Sequence, residues 1–283
     1  MITKDSLPAF RETPRILAAA EGFIYLLPHP ALRRWISNYT ITFPRKGLMS
    51  DRYTVMPHGC ATLVLSYDGS RFSGNLFGPA TKPTCVGSEA NRFQMLFITE
   101  FQPAGYYAFS KTPQKELADR LLPFEAVDPA FHHLIAQRLE TTPDINALIA
   151  EIDKLFLAHL KTVPFRDEFS LANNIIVSSG GLISVKELSQ RVFYSERHLG
   201  RIFGEYLGVN IKSFSRLVRV NKAIRILQKP YGNITQAHFQ TGYYDLSHFV
   251  RDFKSICGIT PQEYRDNASD FYMAVAKFRA TMG

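Results

Sequence analysis

The sequence predicts an α+β protein of two domains. The N-terminal one is β-rich, a sandwich or cupin-like barrel with flanking helices. The C-terminal one is all-α, with two helix-turn-helix units joined by a long helix. Three observations predict this. Short β-type runs crowd the chain up to about residue 110. Helix-start signals take over after it. One stretch of helical sequence then occurs twice, 50 residues apart: SERHLGRIFGEYLGVNIKSF from Ser195 and DLSHFVRDFKSICGITPQEY from Asp245.

The β-type runs are RYTVMP (52–57), ATLVLSY (61–67), RFSGNLF (71–77), RFQMLFITEF (92–101) and YYAF (106–109), separated by Gly, Pro, Asn and Ser. Short strands at this spacing predict a sandwich or barrel. Thr112-Pro113, Asp128-Pro129 and Thr142-Pro143 each set a capping side chain before a proline suited to the first helical position. After the last of them Ile145, Leu148, Ile149, Ile152, Leu155, Phe156 and Leu160 form one apolar stripe. Such a stripe packs on its own domain or pairs with a second copy; intrachain packing is favoured. VPFRDEFSLANN (163–174) joins the halves, as a linker ending near residue 167.

From Glu168 onward the spacing predicts helices over 168–178, 184–191, 195–206, 210–228, 233–240, 245–256 and 260–268. Ser184, Ser195, Asn210, Asn233, Asp245 and Thr260 are the N-cap candidates. Glu187, Gln236 and Glu263 stand at capping-box distance from three of them. The domains are therefore expected at 1–165, including a helix at 143–161, and at 166–268, with units at 184–206 and 233–256. A tail would follow over 269–283.

The repeat pairs His198 with His248, Arg201 with Arg251, Phe203 with Phe253 and Gly208 with Gly258. Repetition of this kind means one supersecondary unit used twice. A short helix, a tight turn and a second helix is helix-turn-helix spacing. Leu188, Leu199, Ile202 and Phe203 are expected to form the core of the first unit, and Phe239, Phe249 and Phe253 that of the second. Facing outward would be Arg197, Gly200 and Arg201 on one helix and Leu246, Ser247, Val250, Arg251 and Lys254 on the other. Arg forks onto guanine, Ser takes either hydrogen-bonding role, and Leu or Val touches a thymine methyl. These eight are the candidate DNA-binding residues. A solvated helix face is the bland alternative for either helix alone.

Charge agrees. The chain carries a net +8, and residues 171–283 hold 15 Lys/Arg against 8 Asp/Glu, so nearly all the excess is in the helical part. That distribution points to a polyanion partner for this part only. Double-stranded DNA is the expected partner.

These residues resemble the AraC/XylS family of bacterial transcription regulators, over Ile175 to Arg265. The resemblance is carried by Val185, Leu188, Ser195, Leu199, Arg201, Phe203 and Gly208 in the first unit and by Arg219, Ala223 and Leu227 in the connector. In the second unit it is carried by Ile234, Gly242, Tyr243, Ser247, Phe249, Arg251, Phe253 and Lys254, closing with Gly258-Ile259-Thr260-Pro261 and Tyr264-Arg265. The chain departs from the family at Ala237-His238, where a large aliphatic followed by alanine is usual. The resemblance implies that residues 1–165 are regulatory and that RNA polymerase is a further candidate partner. MPHGCATL (56–63) and FQPAG (101–105) resemble a poorly characterised N-terminal domain of some members.

The expected role of that domain is to sense a small-molecule effector, with Trp35, Tyr39, Tyr53, Phe97 and Tyr107 as candidate pocket aromatics. Control by protein contacts or by homodimerisation is the alternative. An enzymatic N-terminal domain is a third reading, and the residues do not favour it. His29, His58, His132, His133 and His159 are scattered, and neither a GxSxG elbow nor a phosphate loop occurs. No catalytic residue, metal site or cofactor is implied. No apolar run approaches the roughly 18 residues of a membrane span. Cys60, Cys85 and Cys257 are odd in number and widely spaced, and the N-terminus lacks a signal-like apolar stretch. A cytoplasmic, non-membrane protein is expected.

Overall fold

The computed structural model describes residues 1–5, 15–20, 22–45, 47, 49–164 and 166–267. The expected tail at 269–283 lies outside the described residues.

The N-terminal half is built on one seven-stranded antiparallel sheet. In chain order its strands are β1 (Ile16–Ala20), β2 (Phe23–Leu26), β3 (Ile36–Thr42), β5 (Thr62–Tyr67), β6 (Phe72–Phe77), β8 (Met95–Phe101) and β9 (Leu121–Pro123). Across the sheet the order is β1-β2-β3-β8-β5-β6-β9, and β4 (Thr54–Val55) with β7 (Thr84–Cys85) makes a separate ribbon. The inner strand β3 is buried along its whole length, while the more peripheral β6 alternates buried and half-buried residues. That alternation is the period of a strand with one covered face. At the β5–β6 hairpin Asp68 Oδ1 accepts hydrogen bonds from Arg71 N, Ser70 Oγ and Ser70 N, which hold its carboxyl down at about 2.

YYAF is not a strand. Ala104 at φ 62° turns the chain, and the next residues close a single turn, α1 (Tyr107–Ser110). Gly105 permits this, because a Cβ there would sit 2.0 Å from Trp35 O. After α2 (Phe124–Val127) come α3 (Pro129–Thr141), capped by Asp128 as expected, and α4 (Ile145–His159). Two expected caps move. Asp144, not Thr142, caps α4, and Thr112 caps nothing, since a short 3-10 helix over Gln114–Glu116 follows Pro113 there. The stripe of α4 packs inward: Phe156 meets Tyr39, Phe101, Phe109 and Phe131. Asp153, also buried on α4, accepts hydrogen bonds from Tyr39 Oη and His29 N and pairs with Arg15 at 2.7 Å.

The C-terminal half is helical: α5 (Arg166–Ser178), α6 (Val185–Arg191), α7 (Glu196–Tyr206), α8 (Ile211–Leu227), α9 (Ile234–Gln240), α10 (Leu246–Cys257) and α11 (Pro261–Asp266). Each of the six proposed N-caps accepts a hydrogen bond from the backbone N–H three residues on. The reciprocal capping box is complete at Thr260–Glu263.

The two halves are joined by more than a linker. Buried residues of the sheet, of α3 and α4 and of the first helix-turn-helix unit form one continuous apolar cluster from Ile2 to Val218. The second unit has its own cluster, which includes one residue from the N-terminal half, Met56. The loop carrying Met56-Pro57-His58-Gly59 lies on α8: Asn221 Nδ2 donates to Pro57 O at 2.9 Å, and a Cβ on Gly59 would come within 3.1 Å of Leu217 Cδ1.

Candidate nucleic-acid interface

Each candidate recognition helix is amphipathic for a local reason. On α7 the residues Leu199, Ile202, Phe203 and Tyr206 are buried, which leaves Glu196, Arg197 and Arg201 exposed on the far side. Gly200 and Gly204 lie on that same side, and a Cβ at either would meet nothing within 4 Å. On α10 Phe249, Asp252, Phe253, Ile256 and Cys257 face inward. Leu246, Ser247, Arg251 and Lys254 are exposed. Val250 is half-buried and rests its flank on the second cluster. Seven of the eight candidate DNA-contacting residues thus stand on the outer faces of two N-capped helices, and Val250 stands at the edge of one.

The units are near copies with one insertion. Their first helices are offset by 49 residues, as the N-caps Ser184 and Asn233 show, and their second helices by 50, as Ser195 and Asp245 show. The left-handed turn residue is Gly242 (φ 67°) in the second unit and Phe193 (φ 58°) in the first. Tyr194 then stacks on His198 with ring centroids 4.7 Å apart, and its counterpart Tyr243 meets His248 edge-on at 5.1 Å. The additional residue is Tyr244, which is 95% exposed.

Phe239, expected in the core of the second unit, is 82% exposed. At 49 residues' offset its counterpart is Gln190, while Ala237 matches Leu188 and takes the buried slot. Two residues along a helix is about 200° of rotation, so Phe239 points away from whatever Ala237 faces. His238 is half-buried with its ring 6.2 Å from that of Phe249. The small-then-large order of Ala237-His238 is accommodated by turning the large residue sideways.

Three groups hold the two helices in place, and of them the sequence reading named only Arg219. Asp252, buried on α10, takes Arg216 Nε of α8 at 2.7 Å and the Tyr243 hydroxyl at 2.6 Å. Arg219 of α8 lies over the Tyr243 ring at 5.0 Å and donates to Gly181 O at 2.8 Å, so the connector ties the entry of the first unit to the turn of the second. Glu205, at the end of α7, accepts the hydroxyl of Tyr107 from the N-terminal half at 2.7 Å. A signal was present for the first: Asp252 stands where the repeat has Ile202, a charge at an inward position.

The five candidate pocket aromatics are not gathered round one cavity. Trp35, Tyr39 and Phe97 are packed in the core, with Tyr39 and Phe97 stacked at 5.6 Å. Tyr53 is half-buried, its hydroxyl pushed up to about 12 by burial. Tyr107 is buried at the junction of the halves, stacked on Tyr206 at 4.4 Å. A cavity does open between the sheet and α3 and α4, lined by Phe101, Tyr106, Phe109, Phe131, Asp128 and His159 among others. Its volume of about 10 Å³ is room for one water.

Two helix-turn-helix units on a shared connector helix, each with an exposed polar face, define the class: a bipartite helix-turn-helix protein. Residues 188–267 match a family described as "Helix-turn-helix domain", and residues 25–123 match a "Domain of unknown function (DUF6597)". The chain accordingly carries an AraC-type helix-turn-helix domain at its C-terminus and a domain of that uncharacterised family in its N-terminal half. An uncharacterized HTH-type transcriptional regulator of Staphylococcus aureus is 37% identical over 83 residues, 29% of this chain and 11% of that protein. The HTH-type transcriptional regulator ArgR of Pseudomonas aeruginosa is 30% identical over 84 residues, 30% of this chain and 26% of that protein. The chain thus spans a small part of these relatives. Among solved structures, an AraC-type transcriptional regulator from Chromobacterium violaceum is 25% identical, with a TM-score of 0.34, covering 36% of this chain and 91% of that one. Apo ToxT from Vibrio cholerae is 12% identical, with a TM-score of 0.40, covering 87% of this chain and 98% of that one. Among the described residues no helix is long and apolar enough to cross a membrane.

Proposed function

We propose that this protein is a sequence-specific DNA-binding transcription regulator that seats α7 and α10 in adjacent major-groove segments of one duplex. The observation that carries the reading is the pair of N-capped helices with exposed Arg197/Arg201 and Arg251/Lys254, joined by α8. The 17 residues of α8 span about 25 Å at 1.5 Å each. Successive major-groove faces lie about 34 Å apart, so a connector of this order suits two readers in one chain. Arg197 and Arg201 are assigned to base edges through the gap left by Gly200. Leu246, Ser247, Val250 and Arg251 are assigned to the second segment, with Lys254 on phosphate.

Binding of the full chain to promoter DNA across salt concentrations tests this. With 6–10 phosphate contacts, affinity falls about 10³–10⁵-fold between 50 and 200 mM salt. A flat response would remove the reading. Arg201→Ala is expected to relax base preference at one position; a uniform loss would make it a phosphate contact.

For control of binding, the reading best supported is a change in how the N-terminal domain docks on α7 and α8, since the two halves share one buried cluster. The small-molecule reading places an effector in the N-terminal domain. A thermal-shift screen of the full chain against metabolites separates the two, because a ligand of the folded state raises Tm.

A further inference from the structure

Glu205 stands at the seam between the halves, one turn beyond Arg201 on α7. One of its oxygens accepts the Tyr107 hydroxyl at 2.7 Å. The other lies 3.7 Å from a guanidinium nitrogen of Arg201. Tyr107 is set firmly. Its ring stacks on Tyr206, Lys111 Nζ lies 5.3 Å from the ring centre, and 6% of the residue is exposed. The backbones are equally close here: Gly208, at φ 81°, approaches Gln114 O so nearly that a Cβ would sit 2.7 Å from it. Burial and the neighbouring carboxylate raise the Tyr107 hydroxyl well above its ordinary range, so it remains a donor.

We propose that Glu205 is a positioning residue for Arg201 and that Tyr107 sets its place. The docked N-terminal domain draws the carboxylate off the guanidinium and leaves Arg201 free for a base edge.

The distances carry this. A charged hydrogen-bonded pair closes to about 2.7–2.9 Å. Glu205 makes such a contact with Tyr107 and leaves Arg201 at a loose 3.7 Å. Arg201 is 59% exposed on its side chain, and an exposed pair four residues apart is worth only about 1.5-fold to 2.5-fold in an equilibrium. A hydrogen bond from a buried hydroxyl to a carboxylate is stronger than that, so Tyr107 wins the competition. Without it, the carboxylate keeps Arg201 on its own helix, with Lys111 of the docked half as the other cation that feels its charge. It would close on Arg201 and compete with the duplex, and its charge would lie nearer the phosphates. The N-terminal domain thereby acts on base selectivity at one position, through a single carboxylate, with no movement of a recognition helix.

The inference rests on the DNA-binding reading, and the test keeps the two apart. Full-length wild type, Tyr107→Phe, Glu205→Gln and the double variant are each selected against a pool of randomised duplexes. Each is then measured on the selected duplex and on one altered at the base pair whose preference Arg201→Ala relaxes. Tyr107→Phe keeps the ring stack and loses only this hydrogen bond, so Tm is expected to fall by no more than a few degrees. Selectivity at that base pair is expected to fall about 1.5-fold to 2.5-fold. Glu205→Gln is expected to retain selectivity, and Tyr107→Phe to have no further effect in that background. Equal loss on all duplexes with a larger fall in Tm would reduce Tyr107 to a structural contact and overturn the inference. So would an undiminished Tyr107→Phe effect in the Glu205→Gln background, or unchanged selectivity. Wild-type protein that selects no duplex at all would instead bring down the DNA-binding reading, and this inference with it.

Discussion

Arg216 and Asp252 meet across the gap between the connector helix and the second recognition helix, with Nε 2.7 Å from the carboxylate. Asp252 is a carboxylate at a core position, and it is satisfied there by a guanidinium on one oxygen and the Tyr243 hydroxyl on the other. This pair orients α10 relative to α8, and so relative to α7. Asp252→Ala strands the Tyr243 hydroxyl and frees Arg216. Because the arginine is half-exposed, the expected loss is about 2 kcal/mol rather than the larger cost of a fully buried pair. Urea unfolding measures it, and amide exchange should place the loss in residues 234–257. A change below about 0.5 kcal/mol would show that α10 is held by its apolar side alone.

Phe193 stores strain. It has a left-handed backbone at φ 58° and a side chain 93% exposed, so the fold gains little from the ring. The backbone costs about 1–2 kcal/mol in a non-glycine residue, and glycine returns part of that as lost chain entropy. Phe193→Gly is expected to stabilise the protein by about 0.5–1 kcal/mol. The converse change, Gly242→Ala, should destabilise by more than about 1 kcal/mol, since its Cβ would lie 2.9 Å from Leu182 Cδ1. Thermal unfolding of the two variants should move in opposite directions.

Gly208→Ala tests the docking of the halves. Its Cβ would lie 2.7 Å from Gln114 O, a backbone atom that cannot swing aside, and the residue has φ 81°. The expected cost is about 2 kcal/mol, taken mostly by the contact between α7 and the 3-10 helix at 114–116. Limited proteolysis should then cut faster at residues 161–164. An unchanged cleavage rate would mean that the junction yields elsewhere.

Alkaline pH should weaken the fold. Tyr53, Tyr206 and Tyr264 are each pushed up to about 12, chiefly by burial. In the unfolded chain a tyrosine ionises near 10. A folded value raised above the unfolded one gives stability that is complete below about pH 10 and is lost as pH rises through about 12. Urea midpoints should therefore be level below about pH 9 and fall steeply above about pH 10. A level profile to about pH 12 would show that these hydroxyls ionise without loss of packing.

Much of the helical half was legible because its signals are local. A capping Ser, Asn, Asp or Thr acts within three residues, and an amphipathic face needs only its own helix. Phe239 was misplaced because a seven-residue helix gives too short a period to distinguish Ala237 from its neighbours when the inward residue is the smaller one. In the N-terminal half β5, β6 and β8 were visible as apolar alternation, while β3 was missed. ISNYTIT reads as polar, yet its Asn38 and Thr40 are buried and hydrogen-bonded to each other at 3.1 Å. YYAF has strand composition, and only the turn at Ala104 and Gly105 makes it helical. The outward arginines could be found from the repeat alone. Tyr107, Glu205 and Asn221 could not be read as contacts, because each partner lies about a hundred residues or more away in sequence.

Gly200 and Gly204 have a consequence for the future of this chain rather than its present. Glycine inside a helix costs about 1 kcal/mol against alanine, and here nothing crowds either position. Almost any replacement would therefore be tolerated or even stabilising. If α7 reads a duplex as proposed, its outer face holds two positions that a side chain could fill, changing which sequence is preferred while asking nothing of the fold. On that reading, such proteins drift to new operators through these two sites without passing through unstable intermediates.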